Sequence, residues 1–345
     1  YTNFTDYSIG QLSAGAHTIK IVTDETGVIS ESNESDNEYS KTITVTVTVT
    51  PTVTPTVTPT VTPTVTPTVT PTVTPTTEDL LEKYAPILYM HKKERYYPQE
   101  VEVMLENSDL YIKVEDGFDV RYDTEPTLNK LMTNYDESNY YLKLTEKAKE
   151  KLSNKKEWKT RQTVYGRIFD SEGSAKKVLQ YWFFYVYNDW YNNHEGDWEM
   201  IQIVLDAGGI PEQITYGYHH GGETFEWKDI EKSRDGNHPK VYVTLGGHGC
   251  WNTPGDHIWY QEIATDCTGW VDKTSDRGNA IYPNFMSKSE VDASAKKYPY
   301  KMENLSDTDW IYWLGFWGNQ VVVDLGRSGP PSPPDIDYTG RGASI

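Results

Sequence analysis

Apolar and polar side chains alternate from the start of the chain. "HTIKIVTD" and "KTITVTV" have the period of two that half-buried strands show, and the acidic, turn-rich "ETGVISESNESDNEYS" lies between them. Residues 1–47 are therefore expected to form a β-hairpin or the end of a sandwich. The alternation then gives way to "PTVTPTVTPTVTPTVTPTVTPTVTP", Pro51 to Pro75, with proline at every fourth position. Proline removes backbone donors and pushes the residue before it toward extended geometry, so residues 48–78 are expected to be a disordered Pro/Thr linker. At the polyproline rise of about 3.1 Å per residue the repeat would reach roughly 80 Å.

From residue 79 to 345 the pattern is that of a β domain with helical insertions. "TEDLLEKYAPIL" predicts one or two helical turns, with Thr77 and Asp79 as caps, ended by Pro86. "VLQYWFFYVY", "DWEMIQIVL", "QITYGYHH" and "KVYVTLGG" read as strands, and "LTEKAKEKLSNK" reads as a helix capped by Thr145. Short aromatic and β-branched runs separated by Gly, Pro and Asn turns predict a mainly β fold, an antiparallel β-sandwich with helical insertions.

Composition narrows the partners. The 345 residues carry 32 Lys and Arg against 51 Asp and Glu, a formal charge of −19, which argues against a nucleic-acid partner. No run approaches the roughly 18 to 20 apolar residues of a membrane-spanning helix. Cys250 and Cys267 are too few for a disulfide scaffold, although one loop-closing bridge is open to an exported chain. Thr-Pro tracts are typical of O-glycosylated stalks, and Tyr1 is expected to fall inside a domain. These features together point to a part of a longer, secreted or surface-attached protein.

The chemistry concentrates in "YNDWYNNHEGDWEMIQIVLD", Tyr187 to Asp206. On a strand, Asp197, Glu199, Ile201 and Ile203 share one face, and Trp198, Met200, Gln202 and Val204 share the other. His194 lies in the turn "NNHEG", where Gly196 lets the chain bend, and Asp189 ends the preceding aromatic strand. Three carboxylates and an imidazole brought together call for a compensating cation, and an oxygen-rich set suits magnesium, calcium or manganese better than zinc. The alternative is that the acids simply face water.

Three resemblances add to this reading. "L-x-x-G-x-H-x-I" followed by the acidic turn resembles the C-terminal half of the cell-adhesion-related CARDB domain, which implies an immunoglobulin-like sandwich that spaces other domains outside the cell. The pattern H-x-x-D-W-E, His194, Asp197, Trp198 and Glu199, is similar to the core heptapeptide of the necrosis- and ethylene-inducing-like proteins. That likeness implies a divalent-cation site of His194, Asp197 and Glu199 with Asp189 upstream, although the loop from Asp189 to His194 is shorter and "EG" stands where those toxins have "RH". "YAPILYMHKKERYYPQEVE", "NNHEGDWEMIQIVL", "YGYHHGG", "HPKVYVTLGGHGCW", "WLGFWGNQ" and "GRSGPPSPP" resemble, in order, the family named after vacuolar protein-sorting-associated protein sixty-two. This last resemblance implies a sandwich with the "GDWE" strand at its centre and specifies no activity.

His219, His220 and His248 beside glycines, and Trp190 and Trp251 nearby, are further candidates for ligand contact; aromatic faces suit the C–H faces of sugar rings, and core packing is the competing explanation. Trp227 and Trp259 share this reading. The function expected is an extracellular, divalent-cation-dependent binding domain for a carbohydrate or an anionic lipid head group. A metal-assisted hydrolase of a cell-surface substrate and a structural module are the alternatives, and the absence of a nucleophile elbow or HExxH pattern favours binding.

Overall fold

A computed structural model describes residues 15–22, 38–45, 77–114, 119–135, 138–152, 161–171, 176–218, 221–263, 266–276, 278–319 and 328–334. The Pro/Thr repeat, the acidic turn, His219 and His220 lie outside the described residues. The chain divides into two units, Tyr1–Pro71 and Thr72–Ile345. In the first, β1 (Gly15–Val22) and β2 (Glu38–Val45) pair antiparallel along their full length, as the alternation predicts.

The second unit begins with α1 (Thr77–Lys83), β3 (Ile87–Met90), α2 (Glu102–Leu105), β4 (Ser108–Ile112) and β5 (Val120–Asp123). It continues with α3 (Leu128–Asn134), β6 (Tyr140–Leu144), α4 (Glu146–Leu152), β7 (Thr163–Asp170), β8 (Lys177–Asn188) and β9 (His194–Leu205). Then follow β10 (Pro211–Tyr218), β11 (Gly221–Glu226), β12 (Lys240–Val243), β13 (Cys250–Trp251), β14 (Asp256–Ile263), β15 (Asp266–Lys273), β16 (Asn279–Pro283) and β17 (Lys296–Asn304). The Thr145 hydroxyl accepts from the Ala148 N–H at 3.2 Å, the cap expected for α4.

Ten strands form one sheet in the order β11-β10-β9-β8-β7-β17-β16-β3-β12-β13. Pairing from β11 to β7 is antiparallel throughout, whereas β7 with β17, β17 with β16, and β3 with β12 are parallel. The antiparallel expectation therefore holds for the half that carries the candidate chemistry. Elsewhere the sheet is mixed, because long excursions between β3, β7, β12 and β17 allow strands to return in the same direction.

The sheet is covered on both faces. Tyr181, Phe183, Tyr185, Ile201, Ile203 and Ile214 pack in one core with Leu88, Met90, Val241, Val243, Ile281 and Tyr300 from the other half, so the sheet closes over itself as two packed layers. The opposite face of β7, β8 and β9 presents Trp182, Phe184, Trp198 and Met200 to a second core built with α2, β4, β6 and Trp310, Trp313 and Trp317. Trp198 stacks on Trp310 at 5.7 Å and 17° and meets Trp317 edge-on at 6.4 Å. Such a strand, buried on both faces, reads as a nearly continuous apolar run. The acids of β9 are therefore costly where they sit.

Candidate functional site

The site lies where β8 turns into β9. Asn188 pairs with His194 across the hairpin, so His194 is the first residue of β9 and not, as its setting in "NNHEG" suggests, a turn residue. Gly196 follows at φ +67, and a Cβ there would stand 1.9 Å from the Trp317 carbonyl oxygen. This close approach makes glycine necessary and bends β9 so that His194 Nδ1 donates to the Gly196 carbonyl oxygen at 2.7 Å. The ring's Nε2 then lies 3.9 Å from Asp197 Oδ1.

Asp197 and Glu199 share the inner face, as the period of two requires, and both are buried. Asp197 Oδ2 accepts from Asn188 Nδ2 at 3.1 Å and from His248 Nδ1 at 2.7 Å. His248 is fully buried, adopts a left-handed backbone at φ 59, and stacks on Tyr185 at 3.8 Å with only 2° between the rings. Its Nε2 is 3.6 Å from Glu94 Oε1. Left-handed backbone at a non-glycine residue persists only when its surroundings hold it, and here two carboxylates and a tyrosine ring do so.

Glu94 comes from the loop after β3 and is itself buried. Its Oε1 accepts from the N–H groups of Arg95 at 2.7 Å and Tyr96 at 2.9 Å, and its Oε2 accepts from Gly246 N–H at 2.7 Å. Burial alone would push the Glu94 carboxyl up, but the His248 cation and these donors outweigh it and hold the group below its ordinary value. Burial likewise favours neutral His248, yet Glu94 and the hydrogen bond to Asp197 reverse this and raise the imidazole to about 9. His248 is thus an imidazolium clamped between two carboxylates.

Asp189 is drawn elsewhere. Its carboxylate is ion-paired with Arg95, and its N–H donates to the Gly246 carbonyl oxygen at 2.9 Å. Gly246, at φ +79, backs so closely on Asp189 that a Cβ would fall 2.7 Å from the Asp189 carbonyl oxygen. Of the four expected metal ligands, His194 and Asp197 face one another, Glu199 lies deeper on the same face of β9, and Asp189 is held by a guanidinium. Among the described residues no three His, Cys, Asp or Glu side chains converge as a ready metal-holding group. The donors fit a divalent ion in part, through one imidazole nitrogen and one carboxylate oxygen.

The other candidates separate. Trp251 donates its indole N–H to Thr244 Oγ1 at 3.2 Å and Asp272 Oδ2 at 3.1 Å. It is stacked by Tyr218 at 4.2 Å and His257 at 4.1 Å, which leaves no free face for a sugar ring. Trp190 is half-buried and meets Tyr191 edge-on at 5.0 Å, and Tyr191 is 66% exposed. Cys250 is a free thiol, fully buried in the core beneath His248, so the bridge to Cys267 is not made. Glu94, Arg95, Asn188, Tyr185 and Tyr191 were not singled out by sequence reasoning. The one signal for Glu94 was a lone acid inside the basic run "HKKER".

Fold and site together define a mainly β, two-layered protein whose central hairpin carries a buried, ion-paired cluster at its turn. The chain belongs to the family of vacuolar protein sorting-associated protein 62, whose profile matches residues 67–328. Among solved structures it is similar to NLPPya in complex with glucosamine, at 13% identity and TM-score 0.32, over 74% of this chain and 84% of that one. It is also similar to the non-toxic HaNLP3 protein, at 12% identity and TM-score 0.33, over 77% and 90% of the two chains. A third is necrosis and ethylene inducing protein 2 from the causal agent of cocoa's witches' broom disease, at 14% identity and TM-score 0.29, over 50% and 67%. Likeness at this level carries no argument about ligand or activity. No curated protein matches the chain.

Proposed function

We propose that the Thr72–Ile345 unit is an extracellular binding domain in which one divalent cation at His194 and Asp197 bridges the protein to a carbohydrate or an anionic head group. The observation that carries this is a charge imbalance beside an oriented nitrogen. Asp189 is paired with Arg95, and among the buried groups Glu94, Asp197 and Glu199 carry three formal negative charges against the one positive charge of His248. Two charges remain for a divalent ion to offset. With Nδ1 donating to Gly196, His194 directs its Nε2 lone pair toward Asp197 Oδ1, as a histidine ligand does when its second nitrogen is fixed by a carbonyl. One imidazole and one carboxylate are a small protein ligand set, which leaves coordination positions for ligand oxygens.

Location outside the cell is supported by the Thr/Pro repeat, and no helix among the described residues is long and apolar enough to cross a membrane. The test is thermal unfolding of the full chain with calcium, magnesium and manganese. Because the site exists only in the folded state, cation at about 100 times its Kd should add about 3 kcal/mol of stability. His194→Gln and Asp197→Asn should lose that gain, the first with little effect on the fold. An unshifted melting curve with all three ions would remove the cation from the account.

A further inference from the structure

The turn His91–Arg95 joins the candidate site to a concentration of positive charge that neither the family nor the metal motif assigns. In a chain with 51 acidic residues against 32 Lys and Arg, this turn carries Lys92, Lys93 and Arg95 within five residues. All three side chains are exposed while Glu94 between them is buried. The turn is held rigidly: Glu94 N–H donates to the His91 carbonyl oxygen at 2.8 Å, Lys93 N–H donates to His91 Nδ1 at 3.2 Å, and the Glu94 carboxylate accepts three backbone N–H groups from two loops.

A fourth cation joins from another element. Lys273, at the end of β15, is exposed, and its carbonyl oxygen accepts from Leu245 N–H at 3.0 Å in the loop that carries His248. Burial, and then the charges of Lys92, Lys93 and Lys273 acting against Glu94, hold the His91 imidazole below its ordinary range, in keeping with a backbone that ties Lys273 through Leu245 to the loop whose Gly246 N–H donates to Glu94. Among the described residues neither Lys93 nor Lys273 is ion-paired, although Asp256 stands opposite Lys273 in the ribbon register. Arg95 reaches from the same turn to Asp189, and two residues beyond Asp189 the Tyr191 ring is 66% exposed.

Cations on a hydrogen-bonded turn, tied through the Arg95–Asp189 pair to the hairpin that carries an exposed aromatic ring, match the two faces of an acidic sugar, carboxylate on one side and C–H surface on the other. We infer that Lys92, Lys93 and Lys273, with Tyr191, recognise the carboxylates of a uronate-type glycan, Arg95 holding the hairpin through Asp189. The inference rests on the hairpin turn being a binding site and not on the cation proposed there. A lipid surface is less favoured, because the exposed aromatic at the hairpin is a single tyrosine rather than a broad apolar patch.

The experiment is affinity electrophoresis and calorimetry of the full chain in EDTA. The probes are polygalacturonate, its fully methyl-esterified and therefore neutral form, and phosphatidylserine–phosphatidylcholine vesicles. Binding to polygalacturonate alone is expected, weakening as salt rises. In Lys93→Glu/Lys273→Glu it should be at least tenfold weaker with an unchanged melting temperature, and Tyr191→Ala should weaken it as well. Equal binding to the neutral polymer, capture by vesicles instead, or an unaffected double variant would overturn the inference. Polygalacturonate held in EDTA by a chain whose melting no cation shifts would uphold it while removing the proposed metal; cation-shifted melting without polygalacturonate binding would do the reverse.

Discussion

Replacing His248 by glutamine tests the electrostatics of the cluster. The side chain is fully buried between Asp197 and Glu94 and its imidazole is raised from 6.5 to about 9. At about 1.36 kcal/mol per pH unit, the protonated form contributes on the order of 3 kcal/mol to folding. A raised pKa gives stability that is fully present below the unfolded value of 6.5 and lost as pH rises through about 9. Glu94, held low, acts in the opposite sense and is lost as pH falls below its ordinary carboxylate range. Stability should therefore be greatest at about pH 5 to 6.5 and decline by on the order of 3 kcal/mol by pH 9.5. Urea unfolding in EDTA at pH 6 and pH 9.5 reads this directly, since free energy falls linearly with denaturant. His248→Gln should be destabilised at pH 6, where it leaves two buried acids facing each other, and should show a smaller alkaline decline, the part that remains coming from buried groups such as Cys250 whose ionisation burial opposes. Equal stability of the native chain at the two pH values, or the same decline in the variant, would refute an imidazolium at this position.

Two further substitutions probe the frame of the site. Gly196→Ala places a methyl group against the Trp317 carbonyl oxygen at a backbone angle of φ +67, and should cost more than about 2 kcal/mol in urea unfolding; a loss below about 1 kcal/mol would mean the hairpin can shift to accept it. Glu195, buried beside the site, accepts from Leu144 N–H at 2.8 Å and pairs with Lys149 at 2.9 Å, tying α4 to the hairpin. Glu195→Ala should lower stability by about 2 kcal/mol because it strands the buried Leu144 N–H, whereas Lys149 keeps its pair with Glu146 at 3.0 Å; Glu195→Gln, which keeps the bond to Leu144, should lose less, and thermal unfolding showing equal losses would contradict this.

The parts of the site that were legible in the sequence were local ones. A strand's period of two separated Asp197, Glu199, Ile201 and Ile203 from Trp198, Met200 and Val204, and the two sets pack in different cores or face different layers. Thr145 was recognisable as a cap because a helix start needs a side-chain acceptor within three residues. The compensation of the acids was not legible. His248 lies 51 positions from Asp197, and Arg95 lies 94 positions from Asp189. Both meet the hairpin only because β3 and β12 run parallel in adjacent positions, so that the loops leaving their ends converge. Parallel pairing across such intervals has no signature in periodicity. Trp251 misled for a related reason, since an indole stacked between two rings and an indole open to a sugar share the same flanking sequence.

A divalent ion at His194 and Asp197 would complete the charge balance of the hairpin turn. Crystals of the full chain grown with manganese, measured at its absorption edge, test it most directly. One anomalous peak is expected in contact with both His194 Nε2 and Asp197 Oδ1. An empty position between these two atoms at saturating manganese, with His248 and Arg95 in their places beside Asp197 and Asp189, would show that the two side-chain cations suffice and would contradict the claim.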